Sequence, residues 1–180
     1  ILSAFQDPEI KAVIASLGGD DQVTYIWKTL KQHEDVFRNN PKPFFGYSDN
    51  THLINFLWLN GIPSYYGGAV FTEFAMQGAM DDFTVHYLRK ALFEPGEVIL
   101  TASPEFNDEG LGWDDPENLG KRRRYQPNEG WYWDGTDNTE GITWGGCIES
   151  LDEILRNASP LPTLEQFESV ILLAESSEEL

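Results

Sequence analysis

The sequence predicts an α/β fold with parallel strands. Three observations carry that prediction. Short apolar runs alternate with segments of helical spacing. Several of those runs end in glycine- or serine-bearing turns. Finally, 41% hydrophobic residues, 13% aromatics among them, can fill a core, and 180 residues suit one domain or two small ones.

The elements follow in order. Asp7-Pro8 reads as a helix or turn start, with Asp as cap and Pro at the first position. Ala12 to Ala15 is a short strand running to the Gly18-Gly19-Asp20-Asp21 turn. Tyr25 to Phe37 places Ile26, Trp27, Leu30 and Phe37 near helical spacing. Pro41 and Pro43 then punctuate before a Phe44-Phe45 strand. Asn50 to Asn60 predicts a helix with Leu53, Ile54, Leu57 and Trp58 on one side and Gly61 as its stop. Ser64 to Phe71 predicts a strand and Asp82 to Phe93 a helix. From Trp144 a new element begins, a helix after Gly145-Gly146. Val170 to Ala174 reads as a buried strand with Glu175 at its end.

Residues 102–138 are different in kind, rich in Gly, Pro, Asn, Asp and Trp. A structureless stretch of that length is usually functional or a linker. Trp113, Trp131, Tyr132 and Trp133 argue for an ordered loop that packs over something. The expected division is 1–101, 102–138 and 139–180.

Thirty acidic residues against twelve basic ones give a net charge of −18. Nucleic acid and anionic membrane both need clustered positive charge, so neither is expected as the partner. No apolar run approaches the roughly 18 residues of a membrane span. Ile1 to Phe5 show no signal-peptide pattern. The chain does not start with Met, so the natural N-terminus is expected upstream. Cys147 is the only cysteine, which fits a reducing, cytoplasmic setting. Lys121-Arg122-Arg123-Arg124 gathers four basic residues. They are read either as a solvated stretch pairing with Asp114, Asp115 and Glu117, or as an anchor for an anionic group.

The most telling motif is Gly46-Tyr47-Ser48-Asp49, a serine on a tight turn between strand and helix. Such a turn lifts a hydroxyl out of the fold at a helix N-terminus, where acyl-transfer enzymes place a nucleophile. The competing reading is that Ser48 or Asp49 only caps the helix. Gly18-Gly19, Ser48-Asp49 and Glu175 all fall at C-terminal strand ends, the edge where ligands bind in open α/β sheets. The Asp49 backbone N–H faces the position of an oxyanion, and a glycine turn lets a second N–H approach closely. Glu175 suits the carboxylate that orients a histidine base. None of His33, His52 and His86 suits that base; His52, one turn into the helix, projects along its side. Cys147 reads as a small buried side chain rather than a nucleophile.

These residues together resemble the serine LD-carboxypeptidases, including the microcin C immunity peptidases. The matching pieces are Gly18-Gly19-Asp20, Gly46-Tyr47-Ser48-Asp49-Asn50-Thr51, Tyr66-Gly67-Gly68, Glu140-Gly141 with Gly145-Gly146, and Ile171 to Glu175. The resemblance implies a nucleophile domain, here partial, followed by the start of a C-terminal domain. It implies a Ser-Glu-His triad with Ser48 as nucleophile and Glu175 as acid, and an oxyanion hole from the amides of Gly19 and Asp49 beside Gly18. The family histidine lies beyond the segment ending at Leu180, and two strands precede the residue numbered Ile1. The substrate implied is a small peptide or an aminoacyl-nucleotide-like amide, cut without metal or organic cofactor by a homodimer. Trp113 falls where the immunity-type enzymes stack a nucleobase; otherwise it packs the loop. The chain departs where the family reads Gly-Gly-Asn-Leu. Cys147 replaces the Asn and Glu149 follows, a carboxylate that would repel an acidic substrate group. The rival class is a non-enzymatic peptide- or carbohydrate-binding module built on the aromatic loop.

Overall fold

The computed structural model describes residues 1–112, 114–135 and 137–177. Trp113 therefore lies outside the described residues. The chain forms two compact units: residues 1–70 with 139–180, and residues 71–138.

The first unit contains two parallel sheets. β1 (Val13–Ile14), β2 (Phe44–Gly46) and β3 (Ser64–Tyr66) pair in sequence order, with Val13 opposite Phe44 and Phe44 opposite Ser64. β6 (Ile142–Cys147) pairs with β7 (Val170–Glu175), which sets Cys147 opposite Glu175. The expectation of an α/β fold with parallel strands holds. Parallel neighbours need crossovers, and α4 (Thr51–Leu59) is the crossover from β2 to β3.

Chain chemistry explains the elements. Phe44, Phe45 and Gly46 are buried in β2, and Phe45 stacks on Tyr65 of the next strand at 4.3 Å between ring centroids. α4 buries Leu53, Phe56 and Leu57 against Phe5, Leu30 and Phe37. Phe56 meets Phe37 edge-on at 5.1 Å and Trp27 at 5.2 Å, arrangements favoured by the ring quadrupole. The opposite side of α4 is polar and holds the second sheet. Trp58 donates to the Thr143 carbonyl, Trp144 donates to Asn55, and Thr51 Oγ1 accepts from the Cys147 N–H. Gly146 is required there, because a Cβ at that position would collide with the Thr51 side chain.

Asp7-Pro8 starts a turn, one of the two readings open for it, and a helix precedes it, α1 (Leu2–Gln6). Several other expectations need correction. Tyr25 to Phe37 is not one regular helix. It runs from α2 (Gln22–Tyr25) through a π-turn at Ile26–Leu30 and a 3₁₀ turn at Lys31–His33 into α3 (Glu34–Asn39). β3 ends at Tyr66, because Gly67 and Gly68 take positive φ and the chain then winds into a π-turn at Val70–Phe74. Trp144 lies in β6, and only from Ile148 does α6 (Ile148–Arg156) begin. α7 (Leu164–Phe167) carries a Thr163–Gln166 capping box that the sequence reading passed over. β7 is apolar but not buried: Leu172 is 62% exposed.

The second unit is built differently. It has α5 (Asp82–Phe93), as expected, and a short antiparallel pair, β4 (Glu105–Phe106) with β5 (Gln126–Pro127). Its buried side chains among the described residues are Gln77 and Asn118, both polar. Gln77 donates to the Leu111 carbonyl and accepts from Arg123, and Asn118 donates to the Gly112 carbonyl and accepts from Lys121. The basic run is thus engaged inside this unit. Arg124 pairs with Glu109 rather than with Asp114, Asp115 or Glu117. Trp131 and Trp133 pack edge-on against each other at 5.9 Å while staying largely exposed, so this part of the loop covers no core. No helix among the described residues is long and apolar enough to cross a membrane.

Candidate active site

The turn after β2 holds Ser48 at φ 59°, in the left-handed region. A non-glycine residue there is strained and persists only where its surroundings over-determine it. The surroundings are specific. Thr51 Oγ1 donates to the Ser48 carbonyl at 2.7 Å, and the Ser48 N–H donates to the Tyr66 hydroxyl at 3.2 Å. The N-cap positions of this turn and of α4 fall to Tyr47 and Asn50, neither with a side-chain cap. Ser48 and Asp49 lie within the 3₁₀ turn rather than at its cap.

The glycine turn lies against this serine. A Cβ on Gly18 would lie 3.1 Å from both Cβ and Oγ of Ser48 and 3.7 Å from the Asp49 amide nitrogen. Only a bare backbone fits beside that hydroxyl without pushing on it. Gly19 follows at φ 140°, against the Asp49 carboxylate. Asp49 Oδ2 accepts from the Gln22 N–H, and Gln22 Nε2 donates to Asn50, so the glycine loop and the serine turn are bonded to each other.

Glu175, the last residue of β7, reaches the same turn through Tyr66, whose hydroxyl donates to Glu175 Oε2 at 2.7 Å. Ser48, Gly18, Gly19, Asp49 and Glu175 are therefore gathered at one edge, although Glu175 is 127 positions from Ser48 in the numbering. Burial, reinforced by the Glu175 carboxylate, pushes the Tyr66 phenol well above its ordinary value of 10.0. It therefore keeps its proton.

Asp49, His52 and Glu153 form a second polar cluster behind the turn, their ligand atoms within 4.8 Å of one another. His52 is fully buried, with Nε2 at 2.9 Å from Glu153 Oε2 and 3.5 Å from Asp49 Oδ1. Its Nδ1 has no partner among the described residues. A metal on Nε2 would move the ring proton to Nδ1 and leave a buried donor unsatisfied, so a shared Nε2 proton fits the cluster better. Among the described residues no hydrogen bond joins the His52 ring to Ser48. Burial pushes the Asp49 carboxyl upward, opposed by the Gln22 N–H and by His52. His33 is half-buried at the end of a 3₁₀ turn, and His86 sits on α5 of the other unit, edge-on to Tyr87.

Cys147 is buried and donates its thiol to Glu149 at 2.9 Å. Burial first, and the Glu149 carboxylate next, push the thiol upward, which suits a structural role. Glu149 also accepts from the N–H and hydroxyl of Ser177. The Cys147 bond first, then its own N–H and Ser177, hold its carboxyl down at about 2. Glu149 is thus a fixed negative charge beside the end of β7. Two residues were missed from sequence: Tyr66, which bridges Ser48 and Glu175, and Thr51, which braces the turn. The tyrosine's position at a third strand end was the available signal.

Residues 1–67 match the LD-carboxypeptidase N-terminal domain. The chain is 30% identical over 177 residues to the putative carboxypeptidase YocD of Bacillus subtilis, covering 96% of this chain and 49% of that protein. It is 26% identical over 151 residues to the microcin C7 self-immunity protein MccF of Escherichia coli, covering 82% of this chain and 42% of that protein. An MccF-like protein from Streptococcus pneumoniae, solved in complex with AMP, superposes with a TM-score of 0.85 at 27% identity, over 99% of this chain and 56% of that one. An MccF-like protein from Bacillus anthracis gives 0.78 at 26% identity, over 99% and 50%. The chain spans about half the length of the curated relatives it matches. The resemblance to the LD-carboxypeptidases and their microcin immunity relatives holds.

Proposed function

We propose that this LD-carboxypeptidase-related chain carries the nucleophile and the acid of a serine amide hydrolase. Ser48 Oγ attacks the substrate carbonyl carbon and its proton passes to a histidine. The C–N bond breaks, the amine leaves with that proton, and water then hydrolyses the acyl-serine. The amides of Asp49 and Gly19 donate to the oxyanion, and Glu175 orients the imidazole. The base is proposed to lie beyond residue 180 of a longer protein, because no histidine among the described residues is bonded to Ser48: His52 Nε2 meets Glu153 and Asp49, His33 ends a 3₁₀ turn and His86 lies on α5. The observation that carries the reading is the left-handed Ser48, with Gly18 against its hydroxyl and Tyr66 tying its turn to Glu175.

The substrate class is a small peptide or an aminoacyl-nucleotide-like amide. The AMP bound by the Streptococcus pneumoniae relative supports the nucleotide arm, for which Trp113 is the proposed stacking residue. The fixed charge of Glu149 disfavours an acidic group at its end of the site. The same reading takes the full-length protein as a cytoplasmic homodimer. The test is Ser48→Ala in the full-length protein, assayed on an L,D-tetrapeptide and on an aminoacyl-sulfamoyl nucleoside. Turnover should fall by about 10⁴-fold or more with the circular dichroism spectrum kept; retained turnover on a substrate that wild type cleaves would refute the assignment. The exposed Trp131–Trp133 pair favours one other reading, a binding module. Binding that needs Trp131 and Trp133 but not Ser48 would establish it.

A further inference from the structure

We propose that Tyr66 is a positioning residue of the site, holding the serine turn and the Glu175 carboxylate in one arrangement. This deepens the serine-hydrolase reading and rests on it. Among the described residues the phenol is bonded to both parts: it accepts from the Ser48 N–H at 3.2 Å and donates to Glu175 Oε2 at 2.7 Å. Its backbone is held as well. Tyr66 pairs with Gly46 in the sheet, and the next amide, Gly67, donates to the Gly46 carbonyl at 3.0 Å. The hydroxyl is therefore aimed by β3, not by a mobile loop.

Two consequences follow for the chemistry. Satisfying the Ser48 N–H supports a left-handed serine and leaves the following amide, that of Asp49, as the donor for the oxyanion. Occupying Glu175 Oε2 leaves Oε1 to face the imidazole. The Tyr66 donor also takes up part of the carboxylate charge that would otherwise face the imidazole. A histidine facing a carboxylate shared in this way holds its proton less tightly and is free at lower pH. The phenol can act this way across the working range because burial and Glu175 itself oppose its ionisation.

The experiment uses the full-length protein, a fluorophosphonate probe that labels activated serines, and labelling rates followed across pH. Ser48→Ala should not be labelled. Tyr66→Phe should fold and be labelled about 10- to 100-fold more slowly. Its acid limb should move to higher pH, because the unshielded carboxylate pulls harder on the imidazolium proton. A wild-type rate, or a slower rate with an unmoved limb, overturns the positioning role while Ser48→Ala remains unlabelled. Labelling of Ser48→Ala at the wild-type rate overturns the serine reading itself. If Tyr66→Phe does not fold, ring-labelled tyrosine NMR on Glu175→Gln decides instead. The Tyr66 phenol should then titrate at lower pH than in wild type, and an unchanged titration overturns the proposal.

Discussion

The two compact units solve the same problem with different materials. Residues 1–70 with 139–180 bury Phe5, Leu30, Phe37, Phe56 and Leu57 essentially completely. Residues 71–138 bury Gln77 and Asn118, and no apolar side chain among the described residues. Apolar burial stabilises a unit without demanding direction, whereas a polar core works only when every group finds its partner. The proposed chemistry sits in the first unit, where the ends of β2, β3 and β7 carry Ser48, Tyr66 and Glu175 and only β2 is fully buried. The second unit is stitched by Arg123, Lys121 and backbone carbonyls, so its stability depends on each of those hydrogen bonds being made.

Four substitutions would break or sharpen that contrast. Phe56→Ala empties the centre of the apolar core and should destabilise the first unit by about 3–5 kcal/mol in urea denaturation. Asn118→Ala strands the Gly112 carbonyl and the Lys121 ammonium, so about 1–3 kcal/mol should be lost. Hydrogen exchange should then quicken in residues 71–138 and leave the α4 amides unchanged; faster α4 exchange would show that the units do not open separately. Asp49→Asn should act through pH, with a smaller effect. Folded Asp49 keeps its proton to higher pH than the unfolded carboxyl, whose ordinary value is 3.8. Its contribution is therefore fully present below that value and is lost as pH rises through the raised one. The stability of wild type relative to Asp49→Asn should accordingly fall as pH climbs through that window, and a rise would refute the assigned burial. Trp133→Ala should be smallest, within about 0.5 kcal/mol, because the side chain is 77% exposed.

Much of the first unit is legible because local chemistry and tertiary need agree there. Phe44-Phe45 reads as a strand and becomes one, and the 50–60 segment reads as a helix bounded by Gly61 and becomes one. The misreadings come where tertiary contacts overrule local pattern. From Trp144 the sequence reads as a new element with a helix after Gly145-Gly146, yet both glycines lie in β6, where a Cβ would meet the Leu173 backbone at Gly145 and Thr51 of α4 at Gly146. Val170 to Ala174 looks buried by composition, but among the described residues β7 pairs with β6 alone and stays largely open. Tyr25 to Phe37 has helical spacing, yet it winds through a π-turn to bring Ile26 and Leu30 into the core.

The candidate site divides the same way. Ser48 on its turn, Gly18-Gly19 and Glu175 at strand ends are visible in the sequence alone, because turn chemistry and apolar runs are local properties. So are the acidic balance, the lone cysteine and the resemblance to LD-carboxypeptidases. That the glycine turn lies against the Ser48 hydroxyl, that His52 is held by Glu153, and that Tyr66 joins Ser48 to Glu175 were decided by the tertiary structure. Those pairings span from 18 to 109 positions of chain. No local preference specifies them; the parallel register of two sheets and the packing of α4 between core and β6 do.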